Sequence, residues 1–200
     1  MAKSDKRGST VPNEFEATVA FDYGCPFSFM AQKWLDAAGA TVDFRPFSLA
    51  ELHRSPGDLP VWQVPVDRLD PIVLSMSGHE LVREAGGDLN DFRRKMFAFW
   101  HEETHRTYEG LIAILATHTG DAPTLPAISR GLIAVKRSHQ SAATAGVFGT
   151  PTITFDDQPG MYLKLDDLPA DDAAARDLWQ HLTAMAHGYP ALQELKRAAQ

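Results

Sequence analysis

The chain has 200 residues, of which 44% are hydrophobic, and a formal net charge of −7. That length and apolar content suffice for one domain with a substantial core and an insertion, while the negative balance argues against a general nucleic-acid surface. A lone cysteine, Cys25, excludes any intrachain disulfide, and no apolar run approaches the roughly 18 residues of a membrane span.

Residues 1–13 are polar, lack the apolar stretch of a secretory leader and read as a frayed tail, so the protein is expected to be cytoplasmic. A short apolar strand over 17–21 runs into the Tyr23-Gly24 turn, and a helix-period pattern over 26–38 leaves it through Phe27, Met30, Trp34, Leu35 and Ala38. Cys25 therefore stands where a strand ends and a helix begins, with Pro26 at the first helical position, where its missing N–H costs nothing. A thiol there faces unpaired amides and the positive end of the helix dipole, which favour thiolate. The other reading is a buried small hydrophobe, the commonest fate of a single cysteine, and local sequence leaves both open. Asp22 has two readings as well: a buried acid that tunes proton transfer, or a helix-entry carboxylate that accepts backbone amides.

Residues 42–47 alternate apolar and polar, with Pro46 marking an edge or an end, so strand, helix and strand form a βαβ unit with parallel strands. Residues 49–68, broken by Pro56-Gly57, Pro60 and Pro65, read as an irregular loop carrying Trp62. Helices are expected over 69–83, 91–103, 108–117 and 132–145. Phe92, Met96 and Trp100 form one apolar face, and Tyr108, Leu111, Ile112 and Leu115 another; both are read as packing faces. Strands over 152–155 and 161–165 flank a Pro-Gly turn as an antiparallel hairpin. Asp171 or Asp172 then caps a helix bearing Ala175, Leu178, Leu182 and Met185, and a last amphipathic segment spans 192–199.

His101-Glu102-Glu103-Thr104-His105 fits the His-Glu-x-x-His pattern, which on a helix puts both imidazoles on one face with Glu102 as general base. Charged Glu103 and Arg106, and the lack of a third ligand at a diagnostic spacing, favour a surface turn with solvated histidines instead. No glycine-rich dinucleotide or phosphate loop is present, and nothing identifies an acyl-transfer triad.

Two motifs together carry a resemblance: Cys25-Pro26-Phe27-Ser28 at a helix start, and Gly146-Val147-Phe148-Gly149-Thr150-Pro151-Thr152 leading into a β-rich run. The pair resembles the thioredoxin superfamily, specifically its DsbA-like branch. The resemblance implies an α/β fold, a thioredoxin-like core with an inserted α-helical subdomain. Residues 14–48 would form the first half of the core, 49–145 the loop and helical insertion, and 146–200 the second half with the C-terminal helices. It also implies a cis bond before Pro151 beside a nucleophilic Cys25. Ser28 stands where the family carries its second cysteine, so the implied chemistry is monothiol exchange, with the Ser28 hydroxyl donating to the Cys25 thiolate and an external thiol such as glutathione or mycothiol as cosubstrate. No tightly bound cofactor and no metal are implied. The partner would be a low-molecular-weight thiol, a small molecule or a peptide, held by Pro26, Phe27 and Thr150, with Phe27, Trp62 and Trp100 lining a cleft under the helical lid.

The outline is similar, too, to kappa-class glutathione transferases and hydroxychromene-carboxylate isomerases, although their active-site serine sits at the first position of the element, where this chain has Cys25. A third reading is a non-catalytic thioredoxin-fold binding protein.

Overall fold

The structure is a computed structural model that describes residues 16–156, 158–189 and 191–192. The predicted tail and nearly all of the last amphipathic segment lie outside the described residues.

Strand β1 (Ala17–Phe21), helix α1 (Pro26–Ala38) and strand β2 (Val42–Pro46) form the expected unit, with β1 and β2 parallel and Val19 opposite Phe44. Strand β3 (Thr152–Thr154) then joins the other side of β1 in antiparallel register, and β4 (Met161–Tyr162) pairs with β3, giving the order β2-β1-β3-β4. Pro46 thus ends an edge strand, where its missing donor is harmless. The hairpin is shorter than its apolar pattern, although Leu163 N–H still donates to Pro151 O at 3.1 Å.

Helix α2 (Leu49–Leu52) and two single 3₁₀ turns, Val61–Gln63 and Val66–Arg68, occupy the stretch expected to be irregular. Helices α3 (Pro71–Glu84), α4 (Leu89–His101), α5 (Tyr108–Thr119) and α6 (Leu125–Thr144) follow. Their starts are set by side-chain caps: Asp70 accepts from Ile72 N–H at 2.7 Å, Asp88 from Asn90 and Asp91, Thr107 from Gly110, and Thr124 from Ala127. Helix α6 begins seven residues before the predicted 132, because Thr124 caps it and Pro126 occupies its first turn. The pair Thr124 and Pro126 was a legible start signal.

Helix α7 (Asp172–Gly188) closes the described fold and packs on α1, where Trp34 Nε1 donates to Ala175 O at 3.0 Å. Its buried face is Ala175, Trp179, Leu182 and Ala186; Leu178 and Met185, expected inside, are only half-buried. Tyr108, expected on the buried face of α5, is exposed, while Leu111 and Leu115 are buried. One continuous apolar cluster runs from β1 and α1 through α3, α4, α5 and α6 to α7, so the helices between the strands share their core with the sheet. None of the described helices is long and apolar enough to cross a membrane.

Candidate active site

Cys25 is the N-cap residue of α1, extended at φ −86° and ψ 116°, and its side chain makes no capping bond to the helix amides. Its Sγ instead lies 3.3 Å from Thr150 O, to which the thiol donates. This differs from the expected thiol aimed at the amides. The carbonyl is a strong acceptor within reach, and the hydrogen bond exists only while sulfur holds its proton. The Thr150–Pro151 bond is cis, and Thr150 itself is buried. Cys25 is 5% exposed, beside exposed Pro26 and half-buried Phe27.

Ser28 is fully buried one turn below Cys25, and its Oγ accepts from Asp22 N–H at 3.4 Å. The expected donation from Ser28 to sulfur is not present; the backbone at the end of β1 holds the hydroxyl instead. Asp22 is buried too. Its carboxylate accepts from Gly24 N–H and Leu49 N–H, each at 2.7 Å, tying the Cys25 turn to the first turn of α2. Of the two readings of Asp22, the helix-entry carboxylate describes its contacts, and the helix is α2, not α1. Gly24 permits the close approach of α3: a Cβ there would sit 2.7 Å from Ile72 Cδ1.

Burial pushes the Asp22 carboxyl up from 3.8 to about 6, against the lowering effect of the Leu49 and Gly24 amides and with a further push from the Asp70 charge. The folded chain therefore binds more protons than the unfolded one between these values. The stability conferred by neutral Asp22 is complete below about pH 4 and lost as pH rises through 6. A shift of this size corresponds to about 3 kcal/mol. Asp22→Asn keeps one acceptor and cannot titrate. Urea denaturation of both proteins is expected to show wild type losing about 2 kcal/mol relative to the variant between roughly pH 4.5 and 7.5. A constant difference across that range would remove Asp22 as the titrating group.

Tyr23, fully buried, donates its hydroxyl to His79 Nδ1 at 2.9 Å, and His79 Nε2–H donates to Phe44 O at 3.1 Å. Burial, reinforced by Arg83, holds His79 well below the usual imidazole range, and burial raises the Tyr23 phenol, so both stay neutral. This chain of bonds fastens the turn before Cys25 to α3 and β2. On the other side, His101 donates from Nε2 to Tyr23 O at 2.8 Å and stacks on Phe29 with centroids 4.9 Å apart and planes 9° apart. Burial lowers its pKa.

The expected solvated histidine pair is corrected accordingly: α4 ends at His101, so His105 is not one helical turn on, and His101 is half-buried against the turn before Cys25. Among the described residues no group of three His, Cys, Asp or Glu could hold a metal ion.

The three aromatic residues expected to line one cleft go to three places. Trp62 packs near His139 of α6, ring centroids 5.6 Å apart, its 3₁₀ turn held by Val61 N–H donating to Glu51 Oε2. Trp100 donates from Nε1 to Ser75 Oγ on α3, because one residue is about 100° around a helix from the next and His101 takes the face toward Tyr23. Only Phe27 stays in the first turn of α1, which Cys25 caps, half-buried beneath Lys164, whose Nζ is 4.7 Å from its ring centroid. Tyr162 and Phe148 complete this surface, with ring centroids 5.2 Å apart, Phe148 being 67% exposed. Sequence reasoning missed Phe148, Tyr162 and Lys164. The signal was the alternation of strand residues, which puts 162 and 164 on one face.

A cleft of about 410 Å³ lies between α3 and α6, and its charged lining is Arg45, Glu80, Arg83, Glu84, Arg130 and Arg137. Its charges largely satisfy one another and a neighbour, Arg83 and Arg45 with Asp43 and Arg130 with Glu84, and none of its lining residues belongs to the Cys25 turn or the Thr150 loop.

No protein-family model matches the chain. The uncharacterized protein Rv2286c of Mycobacterium tuberculosis is 27% identical, over 88% of this chain and 79% of that protein. Among solved structures, a probable DsbA oxidoreductase from Streptomyces coelicolor superposes with a TM-score of 0.56 and 16% identity, covering 92% of this chain and 94% of that one. A 2-hydroxychromene-2-carboxylate isomerase superposes with a TM-score of 0.51 and 17% identity, covering 89% and 99%. The fold is therefore the DsbA-like thioredoxin fold with a helical insertion.

Proposed function

We propose that the protein is a cytoplasmic thiol-disulfide oxidoreductase that works by monothiol exchange through Cys25. The observation that carries this reading is the position of the only sulfhydryl of the chain, at the start of α1 and 3.3 Å from the Thr150 carbonyl of the loop ending in Pro151. Cys25 loses its proton to solvent, its sulfur turns from the Thr150 carbonyl toward the α1 amides, and it attacks one sulfur of a disulfide RS–SR. The S–S bond breaks, Cys25–S–SR forms, and RS⁻ leaves to take up a proton. With no second thiol in the chain, the thiolate of a small thiol such as glutathione or mycothiol then attacks the outer sulfur of the mixed disulfide, forms a new disulfide with the RS group and releases Cys25 as its thiolate. Tyr23, His79, His101 and Asp22 are positioning residues that hold the turn.

Likeness to the isomerase supports a second reading, a glutathione-dependent isomerase or transferase, in which Cys25 would hold or orient the thiol cosubstrate without a mixed disulfide. Intact-mass analysis after incubation with oxidised glutathione separates the readings. One adduct per chain is expected, removed by reduced glutathione and absent in Cys25→Ala. Modification only after denaturation would overturn exchange and leave the isomerase or transferase reading, or a binding scaffold with a buried cysteine.

A further inference from the structure

We infer that Lys164, framed by Phe27, Tyr162 and Phe148, forms a subsite for a carboxylate on the disulfide or thiol that reacts with Cys25. This rests on the thiol-exchange reading and names its substrate class, an anionic small thiol in place of a neutral or cationic one.

The subsite is assembled by the same backbone that presents the thiol. Cys25 and Phe27 flank Pro26 at the start of α1, the Thr150 carbonyl touches Sγ, and Pro151 O receives Leu163 N–H, which places Lys164 next to the loop. The Lys164 ammonium lies 4.7 Å from the centroid of Phe27 and 5.6 Å from that of Tyr162. Tyr162 in turn is braced on Gly149, where a Cβ would come within 3.1 Å of its ring, and on Phe148. No carboxylate lies within ion-pair distance of Lys164 among the described residues, so its charge is held by ring faces and left without an anion. An exposed Phe148 and a half-covered Tyr162 supply apolar contact for the methylene stem of such a ligand. Lys164 supplies the only opposite charge in this cluster of rings.

The chain as a whole repels anions, with a net charge of −7, so a preference for an anionic disulfide would have to arise locally. The test measures the rate of Cys25 mixed-disulfide formation by intact mass with three small disulfides: anionic 3,3′-dithiodipropionate, neutral 2-hydroxyethyl disulfide and cationic cystamine. Each rate is divided by that of the neutral thiol N-acetylcysteine amide with the same disulfide. Wild type is expected to favour the anionic disulfide over the neutral one by about three- to tenfold at low salt, shrinking as salt is raised. Lys164→Gln is expected to abolish the preference and Lys164→Glu to make cystamine fastest. Equal normalised rates in wild type, or a preference that survives Lys164→Gln, would overturn the subsite while leaving thiol exchange standing. Failure of all three disulfides to modify native Cys25 would overturn the exchange reading itself and this inference with it.

Discussion

A Ser28→Cys variant is expected to release bound glutathione with no added thiol, whereas the wild-type adduct persists until an external thiol attacks it. Ser28 lies three residues after Cys25, one turn down α1, and is fully buried. A thiol at that position meets the Cys25 mixed disulfide intramolecularly: its sulfur attacks Cys25 Sγ, a 25–28 disulfide forms, and glutathione leaves as the thiol. Because a neighbouring group replaces a dilute external thiol, the adduct lifetime should fall by at least about 100-fold. The larger sulfur in a closed site costs about 1 kcal/mol, and it accepts less well than oxygen from Asp22 N–H, so a small loss of stability accompanies the gain. Ser28→Ala is the control and should hold its adduct as wild type does. Time-resolved intact mass reads all three proteins. An adduct on Ser28→Cys as long-lived as the wild-type one would mean that position 28 does not face the sulfur in the adduct, and that Ser28 marks no lost resolving residue.

The largest effect on stability is expected at a position far from the thiol, Gly131 of α6. Gly131 is buried against α3, and a Cβ there would lie 2.2 Å from Ser77 Oγ and 2.5 Å from Ser77 O. Neither atom can move away cheaply, since the hydroxyl donates to Ile128 O at 2.9 Å and the carbonyl is part of the α3 backbone. Glycine to alanine inside a helix normally stabilises by about 1 kcal/mol. Here the two helices must separate along their shared core, and Gly131→Ala is expected to destabilise by about 3 kcal/mol or more. The sign of the change in urea midpoint decides between these effects. A variant as stable as wild type or more so would show that α3 and α6 do not approach as described.

These two sites mark different degrees of legibility. Cys25 at a strand-to-helix junction was readable because proline at a first helical position and the shift from period 2 to period 3.6 are local signals. The Thr150–Pro151 loop was readable by resemblance. Gly131 gave no warning, as a buried contact with Ser77, more than fifty positions away, leaves no mark on local periodicity. Trp62 and Trp100 were assigned to a cleft from their type and place in the chain. Their directions depend on the phase of a helix and the pinning of a turn by Glu51, which composition does not carry.

The sequence by itself determined the element types: a βαβ opening, a run of amphipathic helices, a returning hairpin and a capped final helix. Hydrophobic period, proline position and capping residues act over a few bonds, so they are written where they operate. Tertiary structure alone decided that β3 lies antiparallel beside β1, that the thiol donates to Thr150 O instead of capping α1, and that Asp22 serves α2. It also placed Tyr23 against His79 and His101 against the Tyr23 carbonyl, and gathered Phe27 and Tyr162 around Lys164. Each of these pairs joins residues dozens of positions apart, or chooses between acceptors of similar strength. Such choices are settled by which buried polar groups find partners when the core closes, a condition on the whole chain and not on any stretch of it.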